Sequence, residues 1–245
     1  MSKTAPLQEI FSSIQGEGIH VGCRQVFVRF AHCHLKCAYC DTPMTSADGL
    51  CHLETPPGSG QLTPLPNPMT PQALADAILS LWPLAPRHHS VSYTGGEPLL
   101  YHGFLAELLP LLRLPAYIET SGTQPEFLEP LLPWVTTVAM DIKLPSATQE
   151  PARYADHAAF YQLARQRELF VKVVFNEHTT PEELDAIRAI VTDPSTPLIL
   201  QPETSLTDRL VHVPPAKMLW VESELSTHFQ HVRVIPQTHK LLNVL

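Results

Sequence analysis

A chain of 245 residues, 44% of them hydrophobic, has room for one sizeable core and falls in the size range of single α/β barrels. Its formal net charge of −8 excludes a surface built to grip a phosphate backbone, which needs clustered Lys and Arg, so nucleic acid is not an expected partner. No apolar run reaches the roughly 18 residues of a membrane helix, and the opening MSKTAPLQEI lacks the apolar stretch of an export signal, so the expectation is a cytoplasmic protein with no membrane partner.

In chain order, Val26–Phe30 reads as the first strand. From Pro43 to Pro68 the chain is rich in Pro, Gly, Thr and Ser with little periodic apolar content, which reads as a long loop or insertion, either a lid over a site or a tolerated surface excursion. Helix and strand patterns then alternate. Helix Pro71–Leu81 is followed by strand Ser90–Tyr93, helix Gly103–Leu112 by strand Tyr117–Glu119, and helix Glu126–Leu132 by strand Val135–Met140. Helix Ala155–Gln166 and strand Leu169–Phe175 come next, then helix Pro181–Val191, strand Leu198–Gln201, a helix from about Ala216 to Phe229, and strand His231–Ile235. Thr70-Pro71 and Thr180-Pro181 place a capping hydroxyl before a proline, and Thr180 with Glu183 forms a capping-box pattern. Alternation of this kind predicts one α/β domain over residues 1–245, a partial, incompletely closed TIM-like barrel of about six or seven mostly parallel strands. Ligands should gather where the strands end and the connecting loops converge.

Three of the five cysteines crowd into eight residues, which suits a metal or cluster site in a reducing compartment; Cys23 and Cys51 are left over and read as inert thiols. The 13 histidines are scattered and show no helical metal spacing. Cys33, Cys37 and Cys40 form a C-x3-C-x2-C run immediately after the first strand. Three thiolates can hold three irons of a [4Fe–4S] cubane and leave the fourth iron open to a small molecule, whereas an electron-transfer cluster takes four. A structural zinc with His32, His34 or a distant cysteine as fourth ligand is the competing reading. After the next strand, Thr94-Gly95-Gly96-Glu97-Pro98 offers a double glycine that lets backbone approach a ligand closely, and the order of elements puts this loop on the same rim as the cysteines.

Strand, cysteine loop, helix, strand and GGEP together resemble the radical S-adenosylmethionine (SAM) superfamily. That resemblance implies SAM bound on the open iron and cleaved, on one-electron reduction, to a 5′-deoxyadenosyl radical that abstracts hydrogen from substrate. Within the superfamily the chain is similar, over nearly its whole length, to the 7-carboxy-7-deazaguanine synthases of the queuosine pathway. The residues that carry this are Glu9–Gly18, Phe27-Val-Arg29-Phe, Cys40-Asp41-Thr42, Thr94–Pro98, Glu119-Thr-Ser-Gly-Thr123 and Gln237-Thr-His-Lys240. The implied reaction contracts the ring of 6-carboxy-5,6,7,8-tetrahydropterin to 7-carboxy-7-deazaguanine with loss of ammonia, in a Mg²⁺-dependent homodimer served by an electron donor such as flavodoxin or ferredoxin.

By the same resemblance, Arg29 with Ile14, Gln15 and Gly16 would hold the pterin and its carboxylate, and Thr94 would touch substrate; Arg29 could equally form a barrel-end salt bridge. Thr42 would be the protein's Mg²⁺ ligand. Tyr39 and Asp41 beside Cys40, then Gly95, Gly96 and Glu97, would meet SAM. Ser121 lies either on SAM or in a plain strand-to-helix turn. Asp141 and Lys143 stand in Met140-Asp-Ile-Lys143, where other family members carry Ser-Pro-Lys, so only the lysine is retained, as a partner for the SAM carboxylate. Gln201, Glu203 and Thr204 resemble the late adenosine-side loop. The Asp-x-Lys departure keeps one competitor in view, a glycyl-radical activating enzyme with a protein substrate, against which Gln15–Gly18 and Gln237–Lys240 stand. A zinc-stabilised binding module without catalysis is a third reading.

Overall fold

The computed structural model describes residues 4–42, 49–82, 88–242 and 244. Its first strand, β1 (Leu7–Ile14), is one that hydrophobic periodicity does not announce, because both of its faces are covered: Leu7 and Ile10 are buried, and so are Gln8, Ser12 and Ser13. β2 (Arg24–Phe30) runs antiparallel to it, with Ile10 opposite Val28 and Phe11 opposite Phe27.

The stretch expected as a loop from Pro43 to Pro68 is corrected in its described part. Cys51–Glu54 forms β3 and Leu62–Leu65 forms β4, an antiparallel hairpin, and β3 lies parallel on β1 through Glu9–His52 and Ile10–Leu53. Two reasons hid it. The strands are four residues each, and β4 is an exposed edge, where Pro64 is tolerated and no apolar alternation is required. Asn67 pins the hairpin to β1, accepting from the Leu7 N–H at 3.0 Å and donating to the Leu7 carbonyl at 2.9 Å. None of the described residues 49–68 borders the main cavity, so these residues extend the sheet and form no lid over it. Residues 43–48 of that expectation lie outside the described residues.

The remaining strands are β5 (Val91–Gly95), β6 (Ala116–Thr120), β7 (Val135–Ile142), β8 (Glu168–Phe175), β9 (Leu198–Pro202) and β10 (Val232–Val234). All ten described strands join one sheet in the order β10-β9-β8-β7-β6-β5-β2-β1-β3-β4, and the seven from β2 to β10 are parallel neighbours. They are the seven strands that the sequence predicts. β4 and β10 are the two edges, so the sheet stays open, as expected of a partial barrel.

Helices α1 (Pro71–Leu81), α2 (His102–Leu112), α3 (Pro125–Leu128), α4 (Pro145–Thr148), α5 (Tyr154–Ala164), α6 (Pro181–Ile190), α7 (Pro215–Ser226) and α8 (Thr238–Leu242) follow the predicted alternation, with α4 and α8 as additions. The helix expected over Glu126–Leu132 breaks into α3 and a 3-10 turn over Glu129–Leu131, because Pro130 has no N–H to continue the helical ladder. Among the described residues no helix is long and apolar enough to cross a membrane.

Strand alternation sorts side chains between two faces. Val91 and Tyr93 of β5, Val138 and Met140 of β7 and Val171 and Val173 of β8 pack with the helices in the main core. On the other face Tyr117, Ala139, Phe170 and Ile199 form a small apolar floor, with Ile19 and Ile235 against it. Beyond that floor the same face carries Thr94, Glu119, Asp141, Lys172 and Gln201 into the cavity described next.

Both side-chain arms of the predicted Thr180–Glu183 capping box are formed at the start of α6. Thr180→Ala should therefore cost about 1 kcal/mol, read as a lower urea midpoint with an unchanged denaturant slope.

Candidate active site

The loops after β1, β2, β5, β6, β7 and β9 surround a cavity of about 380 Å³. Every residue assigned above to the cluster, SAM, Mg²⁺ or substrate borders it except Glu203, whose carboxylate instead accepts from the Asn176 amide at 2.8 Å and whose N–H donates to the Phe175 carbonyl. Cys23 and Cys51 also lie away from its wall, and burial pushes the Cys51 thiol up to about 12, as fits an inert thiol.

The cysteine loop and the double-glycine loop meet backbone to backbone. The Gly96 N–H donates to Phe30 C=O and the Glu97 N–H to His32 C=O, both at 2.9 Å. A Cβ on Gly96 would overlap the His32 carbonyl, and Gly95 sits at φ +101° against Arg29 and Phe30. On its far side the cysteine loop is held by α4 and the residues after it, through Ala38 N–H to Thr148 C=O at 2.9 Å and Lys36 N–H to Glu150 at 3.0 Å. Glu97 is spent internally. One of its oxygens accepts from the Leu99 N–H at 3.1 Å and the Thr120 hydroxyl at 2.8 Å, the other from the Ser121 N–H at 2.8 Å and hydroxyl at 2.7 Å. Four donors satisfy a carboxylate, so this side chain positions the β6 loop and leaves ligand contact to the glycine backbone.

Glu119 organises the opposite wall. It accepts from Gln15 at 2.9 Å, Ser92 at 2.8 Å and Thr94 at 2.8 Å, which ties the Gln15-Gly16 loop to the ends of β5 and β6. Arg29 donates through Nε to Glu9 at 2.6 Å. It is thus both a salt-bridge partner and a cavity residue, and the bond to Glu9 uses its Nε–H rather than its terminal N–H groups.

Deeper in the cavity lie residues that sequence reasoning missed. Lys172 of β8 pairs with Glu17 and lies 3.4 Å from Asp141. Burial alone would raise the Glu17 carboxyl, but the Lys172 charge and hydrogen bonds from Lys172 and Gln237 outweigh it and hold the group down at about 2. Burial would likewise lower the Lys143 and Lys172 ammonium groups; Asp141 beside Lys143, and Glu17 with Asp141 beside Lys172, raise both instead. Lys172 had a readable signal: it is the lone cation inside the apolar strand ELFVKVVF, at an inward position of the alternation. Glu17 and Glu119 had none beyond lying inside quoted motifs. The Gln237–Lys240 segment closes the wall: Thr238 donates twice to Gly16 C=O at 3.0 Å, Gln237 donates to Glu17 at 2.8 Å, and Lys240 meets Asp41 at 2.6 Å.

Residues 27–162 match the Radical SAM superfamily. A 7-carboxy-7-deazaguanine synthase of Geobacter sulfurreducens is 40% identical over 253 residues, covering 100% of both chains, and one of Archaeoglobus fulgidus is 34% identical over 248 residues, covering 98% of this chain and 99% of that one. The chain belongs to the 7-carboxy-7-deazaguanine synthase family. Its fold agrees: the crystal structure of QueE from Escherichia coli matches with a TM-score of 0.60 at 22% identity, over 94% of this chain and 93% of that one. SuiB of Streptococcus suis, bound to S-adenosylmethionine, shares the fold at a TM-score of 0.54 and 12% identity, over 86% of this chain and 51% of that one. Membership in this radical SAM family implies a [4Fe–4S] cluster and SAM, a source of electrons, and a small-molecule substrate.

The donor set fits the cluster. Cys33, Cys37 and Cys40 all face the cavity, and no fourth cysteine borders it. The histidines that a zinc site would need do not border the cavity; His32 Nδ1 lies 2.9 Å from the Tyr101 hydroxyl and His34 Nε2 2.8 Å from Thr123. Among the described residues no three His, Cys, Asp or Glu side chains are grouped as a single-ion site. Burial pushes the Cys33 thiol up to about 11 and raises Cys37, so binding iron displaces protons. Two buried acceptors of the cavity residues, Asp141 Oδ1 and Gln201 Oε1, have no partner among the described residues, as acceptors placed for a ligand's donors would.

Two outcomes follow from this geometry. Gly96→Ala should force the His32–Cys33 backbone aside, lowering iron and sulfide content after anaerobic reconstitution and activity by about 100-fold, with circular dichroism confirming the fold. The second concerns His157, which is fully buried, with Nε2 lying 3.1 Å from Ser121 O and 3.4 Å from Lys143 N. Burial, the dominant influence, lowers it from 6.5 to about 4. Above 6.5 both folded and unfolded states are neutral; between 6.5 and 4 only the unfolded state gains the proton, so stability falls with pH across that window. His157→Gln should remove about 2–3 kcal/mol of the stability lost on going from neutral pH to about pH 4.5, measured by urea unfolding at both.

Proposed function

We propose that the chain converts 6-carboxy-5,6,7,8-tetrahydropterin to 7-carboxy-7-deazaguanine with loss of ammonia. The observation that carries this reading is one small cavity with a three-thiol loop on one wall and, facing it, Arg29 beside the Glu119–Gln15–Thr94 cluster. A pterin acid offers a carboxylate to a cation and ring N–H groups to an acceptor. The terminal N–H groups of Arg29 meet the carboxylate, supported by the Gly16 backbone, and Glu119 with Gln15, Thr94 and the Ile14 backbone orients the ring.

Cys33, Cys37 and Cys40 hold the cluster, and the Gly95-Gly96 backbone, Ser121, Asp141, Lys143, Gln201 and Thr204 hold SAM, with Tyr39 and Asp41 beside it. When bound, the cluster and SAM supply the hydrogen-abstracting chemistry. Glu203 acts through Asn176 by holding the β9 loop. Thr42 offers its hydroxyl to Mg²⁺, which keeps the rest of its shell for substrate and water. The working unit is proposed to be a homodimer reduced by a flavodoxin or ferredoxin.

The full-length likeness to 7-carboxy-7-deazaguanine synthases favours this reading over the activating enzymes. The Gln237–Lys240 segment, which lies on the Gly16 loop and lines the cavity, supports it.

Anaerobic incubation of the reconstituted protein with SAM, dithionite, Mg²⁺ and the pterin should yield 7-carboxy-7-deazaguanine and 5′-deoxyadenosine by mass spectrometry. 5′-Deoxyadenosine without the deazaguanine would reject the substrate and keep the radical chemistry. Arg29→Ala should raise KM for the pterin by about 10- to 100-fold while reductive SAM cleavage persists; equal loss of both would make the arginine structural.

A further inference from the structure

Five side chains on the cavity wall form an unbroken polar chain from the substrate loop to the cysteine loop. Glu17, beside Gly16, pairs with Lys172. Lys172 faces Asp141 in the β7–β8 register and lies 3.4 Å from its Oδ2. The same oxygen accepts from Lys143 at 2.8 Å, and Lys143 donates to the Tyr39 hydroxyl at 3.0 Å, between Cys37 and Cys40. The formal charges alternate and cancel along the chain. In a largely buried site each ionic group then depends on its neighbour, because an uncompensated charge there is costly.

One link is unevenly shared. Asp141 Oδ2 meets both ammonium groups, while the buried Oδ1 has no partner among the described residues. That spare acceptor capacity beside a doubly engaged oxygen is where a ligand drawing on either end of the chain would redistribute the Asp141–Lys172 contact. At one end the Glu17 N–H donates to Gln15 at 3.0 Å, which ties the chain to the residues assigned to substrate. At the other, Tyr39 stands in the cysteine loop itself, between Cys37 and Cys40.

We infer that Lys172 is a positioning residue that couples the two halves of the cavity, so that a bound pterin tightens SAM binding and bound SAM tightens the pterin. The inference rests on the pterin reading above. Linkage makes the effect reciprocal: each ligand must change the affinity of the other by the same factor.

The test measures the dissociation constant of SAM on the reconstituted, oxidised holoenzyme, without reductant so that no turnover occurs, in the absence and presence of saturating 6-carboxytetrahydropterin. In the wild type the pterin should tighten SAM binding by at least about 5-fold. In Lys172→Met that factor should fall to about 1 with pterin-free SAM affinity changed far less, and Lys172→Arg should restore part of it. If Lys172→Met does not fold, Glu17→Gln/Lys172→Met, which leaves no bare carboxylate at Glu17, carries the same expectation. Independent binding in the wild type, or a variant that weakens both ligands while keeping the wild-type factor, overturns the coupling. A wild type that takes SAM but no pterin overturns the substrate reading and the inference together.

Discussion

Where the cysteine loop crosses the double-glycine loop, two backbones touch with no side chain between them, and much of the site follows from that contact. The absence of a Cβ at Gly96 lets its N–H reach Phe30 and the neighbouring Glu97 N–H reach His32, so the end of β5 sets the start of the thiol run. Glu97 carries the constraint one strand further. By accepting four hydrogen bonds, from Leu99 and from the Thr120-Ser121 turn, it fixes the β6 loop relative to the same glycines. Three consecutive βα loops are thereby locked to one another by hydrogen bonds of the protein alone, which is the preorganisation that a site for a bulky cofactor needs.

The inward face of the sheet explains how a cavity this polar coexists with a stable barrel. Near the starts of the strands Tyr117, Phe170 and Ile199 pack as an apolar floor; toward their ends the same face turns to Glu119, Asp141 and Lys172. Buried charges are tolerated in two ways: Glu17 with Lys172, Asp141 with both lysines and Arg29 with Glu9 are ion-paired, while Glu97 and Glu119 are held by neutral hydrogen-bond donors. Polar residues at these positions weaken the core locally, and the two-sided covering of β1 and the helices outside the sheet supply the apolar burial that offsets them.

Legibility in the sequence tracked locality. The seven parallel strands were readable because each is a short β-branched or aromatic run bounded by turn residues, and the cysteine spacing was readable because all three cysteines fall within eight residues. β1 was not, since a strand covered on both faces loses its alternation when polar Gln8, Ser12 and Ser13 are among the buried residues. β3 and β4 were masked by the prolines and glycines around them. Within the site, Glu97 was assigned to ligand on its motif, whereas its partners are internal; a carboxylate's destination cannot be read from the tetrapeptide that contains it. Glu203 turned toward Asn176 for the same reason. Lys172 alone among the missed residues broke a local rule, a cation within an apolar strand, and breaks of that kind concentrate at functional positions.

The two halves of the cavity differ in how they are assembled. The thiol half is built from neighbouring βα units, whose contacts need only adjacent strands to pair. The half proposed to hold substrate needs Gly16 and Thr238, which are 222 residues apart, together with Gln237 on Glu17 and Lys240 on Asp41. Contacts of such separation carry a large loop-closure cost and form once the intervening sheet is in place. Gly16 itself is shaped for this docking, because a Cβ there would overlap the His239 ring. The 237–240 segment therefore meets both the Gly16 loop and, through Lys240, Asp41 beside the cysteine run, so one late segment joins the two parts of the cavity wall.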